Sequence, residues 1–317
     1  MFKIAIIGCG QLGSRHLQSL CKLQASIQIF AIDPYQASLD TARQRASEIP
    51  RTDRISISYH RSIESIHGTD LNLAIIATNS DSRFKIFQEL VSSVNLEHVI
   101  FEKFLFQKEE HYHQVSLLLS EKKIKGWVNC SRRMFPSYQT LIKDWKTKGC
   151  FDYKFEGGAW GLACNMVHHV DFYQAITGAR IESINLEKLE PNPVPSKRSG
   201  FLEFFGELNI KMSNGGTITL ISRNSNLPPL TEITFQEELI QIDEVKGLLK
   251  IKGMETKIEI PFQSQLTQLV VERMLNGLEP QLPTFEESSE YHLKLLGAFL
   301  ERYMGNGFFG DRILPIT

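Results

Sequence analysis

The sequence predicts an α/β chain in two parts: a doubly wound parallel sheet over residues 1–125, then an α+β domain with an open, mainly antiparallel sheet over 126–317. Three observations predict it. Apolar runs alternate with helix-like stretches through the first part, the order that builds a parallel sheet. A glycine-rich turn, Gly8-Cys9-Gly10-Gln11-Leu12-Gly13, stands between the first apolar run and the first helix-like stretch. From about Phe151 the texture changes to short strands joined by tight turns. At 317 residues the chain exceeds the usual size of one core, and its 42% apolar content is enough to fill two.

In chain order, Ile4-Ala5-Ile6-Ile7 reads as a buried parallel strand, and Ile27 to Ile32 as a second. Strand-like Leu71 to Ala77 follows, then a helical pattern from Arg83 to Val94, strand-like His98 to Glu102, a helix from about Glu109 to Lys122, and strand-like Gly126 to Cys130. The C-terminal ends of such strands form the ligand edge of the sheet, which places Thr78-Asn79-Ser80 and Glu102-Lys103 along one crevice beside the glycine turn. In the second part, Phe201 to Met212 and Thr217 to Ser222 flank the hairpin signal Asn214-Gly215-Gly216, and alternating runs continue to Ile260. Leu208, Ile210 and Met212 alternate with Glu207, Asn209 and Lys211, so one face is packed and the other is polar or used for association. Helical segments at Met166 to Ile176, Gln265 to Asn276 and Glu286 to Tyr303 are expected to cover the packed face. Pro191-Asn192-Pro193-Val194-Pro195 marks a loop unfit for a sheet interior.

Composition excludes several classes of function. A net charge of −1 offers no field for nucleic acid or anionic lipid, so neither partner is expected. The N-terminal apolar run is too short for a signal-peptide core or a membrane span. Five cysteines, Cys9, Cys21, Cys130, Cys150 and Cys164, are odd in number and lack ligand spacing, which predicts reduced thiols and a cytoplasmic location. His111-Tyr112-His113 places two histidines on different sides of a helix, and no metal site is expected. Nothing resembles a hydrolase nucleophile elbow or a zincin helix.

The glycine turn carries the first chemistry. Its glycines let the backbone turn tightly and approach a pyrophosphate, whose charge the N-terminus of the next helix meets. Gly8, Gly10, Gln11, Leu12 and Gly13 are therefore candidate dinucleotide contacts. Asp33 closes the second strand at the spacing that lets a carboxylate accept from the adenosine ribose hydroxyls and repel a 2′-phosphate, which favours NAD over NADP. Arg43 and Arg45 keep NADP as the lesser alternative.

Several ordered motifs then resemble the glucose-fructose oxidoreductase, inositol dehydrogenase and rhizopine-catabolism family (Gfo/Idh/MocA) over nearly the whole chain. They are the glycine turn continuing as Ser14-Arg15-His16, Ala77-Thr78-Asn79, Phe101-Glu102-Lys103, and Gly161 through Gly178. The resemblance implies an N-terminal Rossmann domain binding NAD(H) or NADP(H), with Thr78, Asn79, Glu102 and Lys103 beside the cofactor. It implies a C-terminal domain presenting a sugar, polyol or sugar nucleotide for oxidation or reduction at a carbinol or ketone. The family's Glu-Lys-Pro motif matches Glu102-Lys103-Phe104, so the lysine is kept and the proline is not. Lys103 is expected beside the nicotinamide and the reacting hydroxyl, steadying the developing alkoxide. Without proline, a trans bond before Phe104 is expected.

The family's Asp-x-x-x-His-x-x-Asp helix matches Cys164 through Asp171, with His168 as general acid or base and Cys164 where the family's acid stands. Asn165, on nearly the same helical face as His168, is a candidate substrate contact. Asp171 either orients the imidazole or braces the helix, and His169 is expected to be a packed or solvent-facing ring. Arg132 and Arg133 are candidates for holding a carboxylate or phosphate, and Lys197 and Arg198 for a nucleotide-sugar diphosphate, with solvated surface roles as the alternative. Trp160 and Tyr138 either stack on a sugar or fill a core.

The function expected is hydride transfer between NAD and a sugar, polyol or sugar nucleotide, as in surface-polysaccharide or amino-sugar synthesis. Two alternatives stay open: a dinucleotide-binding sensor with a weakened site, and an enzyme that recycles tightly bound NAD with no net redox change. A homodimer or homotetramer through the C-terminal sheet is expected, because unpaired apolar sheet surface is usually buried in a partner.

Overall fold

The computed structural model describes residues 1–146, 149–304 and 312–317. The chain divides into two compact units. The first comprises Met1–Phe106, Glu110–Asn129 and Pro261–Ser288; the second comprises Gln107–Glu109, Cys130–Ile260 and Ser289–Thr317. The sequence suggested one boundary near residue 125, but the chain returns to the first unit for Pro261–Ser288.

In the first unit, β1 (Phe2–Ile7), β2 (Ile27–Ile32), β3 (Ile55–His60), β4 (Asp70–Ile76), β5 (Asn95–Phe101) and β6 (Lys125–Val128) form one parallel sheet in the order β3-β2-β1-β4-β5-β6. This is the Rossmann order, with the strand order reversing between β1 and β4. The sheet forms because its central strands are apolar on both faces: Ile4, Ala5, Ile6, Leu73, Ala74, Ile75 and Ile76 are fully or almost fully buried. Helices α1 (Gly13–Leu20), α2 (Gln36–Ser47), α3 (Arg83–Ser93) and α4 (Glu109–Glu121) connect the strands.

Helix α7 (Gln263–Leu275) was expected on the antiparallel sheet. It packs on α1 instead, with the Gln268 amide donating to Ser19 Oγ at 2.8 Å and Lys22 Nζ donating to the Ser264 carbonyl at 3.0 Å. An apolar helical stripe specifies burial, not the surface that receives it.

The second unit is built on an eight-stranded sheet in the order β16-β15-β14-β13-β7-β12-β11-β8. Its strands are β7 (Asp152–Gly157), β8 (Ile181–Asn185), β11 (Gly206–Met212), β12 (Thr217–Ser222), β13 (Leu230–Phe235), β14 (Glu238–Asp243), β15 (Leu248–Ile251) and β16 (Met254–Lys257). All neighbours are antiparallel except β7 and β12. The segment read as a single strand from Phe201 is interrupted. A short pair, β9 (Val194–Pro195) with β10 (Leu202–Glu203), precedes β11, and Gly206 at φ 109° turns the chain between them.

Helices α5 (Pro136–Trp145), α6 (Leu162–Thr177) and most of α8 (Phe285–Met304) belong to this unit. Tyr153 and Phe155 of β7 pack against Phe172 and His169 of α6, which fixes the helix on the inner face of the sheet. The outer face is polar and internally paired. Lys154 reaches Glu156 at 3.1 Å and Glu232 at 3.4 Å, Gln241 donates to Glu232 at 3.0 Å, and Thr219 donates to Asn209 at 3.0 Å. Unpaired apolar surface, the ground on which association through this face was expected, is not what these residues offer.

Candidate functional site

In the first unit the glycine turn is held from both sides. The Gly8 amide donates to the Ile32 carbonyl at 2.9 Å, and the Cys9 amide to Asp33 Oδ2 at 2.8 Å. Asp33 Oδ1 accepts from the Tyr35 amide at 2.9 Å. The carboxylate is thus fixed at the strand end by two backbone donors, each using one lone pair of an oxygen that has a second. Burial and the Asp33 charge push the Cys9 thiol up to about 12, so it packs as a neutral side chain.

The three glycines serve different ends. A Cβ on Gly13 would lie 1.7 Å from the Gly8 carbonyl oxygen, so only glycine lets α1 approach the turn. Gly8 has φ +87°, and a Cβ there would meet Thr78 Cγ2 at 2.8 Å. A Cβ on Gly10 would meet nothing within 4 Å, so nothing in the protein requires glycine there. The room over Gly10 opens beside α1, whose N-terminus has no side-chain cap. A pyrophosphate fits this cradle: open room over Gly10, uncapped helix amides and a fixed carboxylate at the next strand end. Arg45 lies on the turn rather than beside Asp33, donating to the Gln11 carbonyl at 2.8 Å, to Gln11 Oε1 at 2.6 Å and to Ser14 Oγ at 2.6 Å. Arg43 pairs with Asp40 and stacks over Tyr59.

Glu102, expected beside the cofactor, is a buried anchor. Its Oε1 meets His16 Nε2 at 2.9 Å and accepts from Asn129 Nδ2, while His16 Nδ1 lies 2.8 Å from Thr267 Oγ1 on α7. Burial raises the Glu102 pKa, but the His16 and Asn129 hydrogen bonds and the His16 and Lys103 charges outweigh it, leaving the carboxyl below its usual range. Lys103 follows, half-buried at the strand end. The Lys103–Phe104 bond is cis, which corrects the expectation of trans. Just after that bond, the Arg83 guanidinium donates to the carbonyls of Phe104 and Leu105, and it also donates to the Thr78 carbonyl. Thr78 is half-buried and Asn79 exposed, next to that clamp.

In the second unit the chemistry gathers on α6. The helix is buried along most of its length, but Cys164, Asn165 and His168 are half-exposed on the face of its first two turns. Spacings of three and four residues put them side by side. Gly161, in the left-handed region at φ 77°, precedes the helix. Asn165 Nδ2 donates to the Trp160 carbonyl at 2.6 Å, so the amide is oriented by the chain before the helix.

Glu203, which sequence reasoning missed, reaches this end from β10. Its Oε1 accepts from the amides of Leu162 at 3.1 Å and Phe204 at 3.0 Å. Burial lifts its pKa above the usual carboxylate range, against the two amides and the charge of Lys197. Lys197 is exposed on the loop between β9 and β10, close enough for its charge to be felt at Glu203; Arg198, also exposed, follows it.

The remaining candidates have structural partners. Arg133 holds Asp171 through two hydrogen bonds of 2.9 and 2.5 Å, and Tyr291 donates to the same carboxylate at 3.2 Å. Asp171 therefore braces the helix. Arg132 pairs with Glu244, which also accepts from Tyr138. Both arginines, expected as forks for a substrate anion, are committed to internal carboxylates, and Tyr138 is buried beside Phe172. Trp160 donates to the Ile221 carbonyl at 2.9 Å and packs edge-on against Phe155. His169 is fully buried and 2.7 Å from the Tyr153 hydroxyl; burial and the Arg132 charge push its pKa well below the usual imidazole range, so it is a neutral core ring. His111 stacks on Phe84 and His113 is exposed. Among the described residues no cluster of three potential metal ligands occurs, and no helix is long and apolar enough to cross a membrane.

Residues 2–129 match the family model GFO_IDH_MocA, described as an oxidoreductase family with an NAD-binding Rossmann fold. No curated protein matches the sequence. Among solved structures, the chain is similar to an oxidoreductase from Agrobacterium radiobacter in complex with NAD+, L-tartaric acid and magnesium, with TM-score 0.72, 14% identity, and 96% and 97% of the two chains covered. It is similar to the UDP-N-acetylglucosamine 3-dehydrogenase GnnA from Acidithiobacillus ferrooxidans, with TM-score 0.68, 15% identity, and coverage of 93% and 95%. It is also similar to a super-repressor mutant of Gal80p from Saccharomyces cerevisiae, with TM-score 0.70, 12% identity, and coverage of 96% and 97%. At these identities the likeness establishes a shared fold over both units.

Proposed function

We propose that this chain, whose residues 2–129 are the NAD-binding Rossmann domain of the GFO_IDH_MocA oxidoreductase family, transfers a hydride between NAD and a carbinol or keto carbon of a sugar, polyol or sugar nucleotide. The observation that carries the reading is the half-exposed patch on α6, where a helix otherwise buried in the core presents Asn165 and His168. When bound, the nicotinamide supplies the hydride acceptor or donor. Gly10 and the α1 N-terminus would hold the pyrophosphate and Asp33 the adenosine ribose, and a carboxylate at that place would favour NAD over NADP. Thr78 and Asn79, at the end of β4, would line the cofactor edge.

Lys103 supplies positive charge to the oxygen that becomes anionic, and His168 takes its proton. Asn165 hydrogen-bonds the substrate; its amide cannot act as a base, so proton transfer falls to His168 and Lys103. Lys197 and Arg198 hold an anionic part of the substrate such as a diphosphate. The protein works in the cytoplasm, in keeping with five cysteines that are odd in number and lack ligand spacing. Association as a homodimer or homotetramer through the open sheet would rest on its charged ladder, so sedimentation at rising salt tests it.

A screen of free and nucleotide-linked sugars, read by the absorbance of reduced nicotinamide, tests the activity. Lys103→Ala and His168→Ala are each expected to slow hydride transfer by about two orders of magnitude or more with little change in NAD affinity. Unchanged turnover in either variant removes that residue from the mechanism. Cys164 at the family's acid position favours the second reading, a dinucleotide-binding sensor. NAD binding with no turnover across the screen would support it. Tightly bound NAD with turnover but no net reduction would instead indicate a recycling enzyme.

A further inference from the structure

The turn that leads into α1 is irregular at one carbonyl. The Ser14 amide donates to the Gly10 carbonyl at 3.0 Å in the ordinary helical way, but the Arg15 and His16 amides both donate to the Leu12 carbonyl, at 2.9 and 3.1 Å. The Gln11 carbonyl is passed over, and among the described residues no backbone amide reaches it. Its donors are side chains: Ser14 Oγ at 3.3 Å and Arg45 Nη1 at 2.8 Å. The Ser14 hydroxyl has a single proton, and the Gly10 carbonyl, 2.6 Å away, is its nearer acceptor. Arg45, on α2, is therefore the main donor to Gln11.

The same guanidinium makes two more contacts on the turn. Nη1 also donates to Ser14 Oγ at 2.6 Å, and Nη2 donates to Gln11 Oε1 at 2.6 Å. One planar group thus holds the carbonyl and the exposed side chain of Gln11, together with the hydroxyl that grips the Gly10 carbonyl. Among the described residues no carboxylate pairs with it, unlike Arg43, which Asp40 holds. Burial and the Arg15 charge lower the Arg45 pKa against the charge of Glu48, but a guanidinium stays protonated.

A trans peptide points its C=O and N–H in opposite directions, and no bond of the turn is cis. The Gly10 carbonyl, turned toward Ser14, sends the Gln11 amide out of the N-terminal end of α1; the Gln11 carbonyl, turned toward Arg45, sends the Leu12 amide away from that guanidinium. Neither amide has an acceptor among the described residues. They are orphan donors of a helix start. We propose that Arg45 is a positioning residue of the dinucleotide site: its fork holds the peptides of Gly10, Gln11 and Leu12 in the orientation that presents the Gln11 and Leu12 amides to a diphosphate. This role rests on the reading that NAD lies over the turn. A lysine would bring the same charge as a point donor on a flexible stem and would not fix these directions.

Calorimetric titration of the full-length protein with NAD+, ADP and adenosine separates the effects, because the first two carry a diphosphate and the third does not. In Arg45→Met the affinities for NAD+ and ADP are expected to fall together by about tenfold, with adenosine unchanged. Arg45→Lys should stay within about threefold of Arg45→Met, and the thermal midpoint without ligand checks that both variants are folded. A general loosening of the turn would weaken adenosine as well. Parental ADP affinity in Arg45→Met, an equal loss for adenosine, or parental affinity in Arg45→Lys overturns the proposal. Absence of NAD+ binding in the parent would overturn the dinucleotide reading and the proposal with it, so the parent's own titration tells the two failures apart.

Discussion

Breaking the ion pair beneath α6 is expected to destabilise the second unit far more than replacing it. Asp171 is fully buried and receives two hydrogen bonds from Arg133 and one from Tyr291. Burial works against the Arg133 charge, but the Asp171 carboxylate outweighs it and holds the guanidinium protonated. Asp171→Asn keeps the shape and the Tyr291 contact, yet turns an NH2 group toward a guanidinium and leaves a mostly buried cation without its counter-charge. Removing one member of such a pair costs about 3–5 kcal/mol. At roughly 2–4 °C per kcal/mol for a unit of this size, the midpoint should fall by about 6–20 °C.

Trp145 and Trp160 lie in the second unit and Trp127 in the first, so urea unfolding followed by tryptophan fluorescence in a Trp127→Phe background reads the second unit alone. The double variant Arg133→Met/Asp171→Leu removes both charges and should recover most of the loss, because the desolvation cost disappears with the attraction. A loss below about 1 kcal/mol in Asp171→Asn, or a double variant as unstable as the sum of its singles, would refute the reasoning.

Two further outcomes follow from the first unit. Asp33→Ser gives up one of the two backbone donors and the negative charge, so titration should show weaker NAD binding and relaxed discrimination against NADP; equal affinities already in the parent would contradict the assignment. Glu102 has a folded pKa below its unfolded value, so its contribution is present above the unfolded pKa and lost as pH falls through the folded one. Glu102→Gln should therefore lower stability at neutral pH and flatten its decline into the carboxylate range, measured by urea midpoints across a pH series; a parallel decline would assign that acid sensitivity elsewhere.

The central strands of the first unit were legible because strands buried on both faces are written as continuous apolar runs, as in Ile4 to Ile7 and Ile27 to Ile32. Strand β3 was not, since an edge strand reading Ile-Ser-Ile-Ser-Tyr-His mixes apolar and polar residues over a short span. Helix α6 was legible from its local pattern near Met166 to Ile176 and His168 from the family resemblance over Cys164 to Asp171, with Asn165 added because it lies three residues from His168. Partners distant in the chain were beyond local reading: Arg132 and Glu244 are separated by 112 residues, Arg133 and Asp171 by 38, and each arginine looked as free as any loop cation. Glu203 was hidden for the same reason, because only the pairing of β9 with β10 carries it to the start of α6. The Lys103–Phe104 conformation departs from the rule about proline, and no residue next to it in the sequence signals the departure.

The central claim, that a dinucleotide lies over the amino-terminal glycine turn, is tested most directly by calorimetric titration of NAD+ into the parent protein and Gly10→Ala. The added methyl meets no protein atom within 4 Å, so the thermal midpoint should stay unchanged. On the proposed reading the same methyl would stand where a pyrophosphate approaches the backbone, so affinity should fall by about tenfold or more. Equal affinity in the two proteins, or no heat of binding in the parent, would contradict the account.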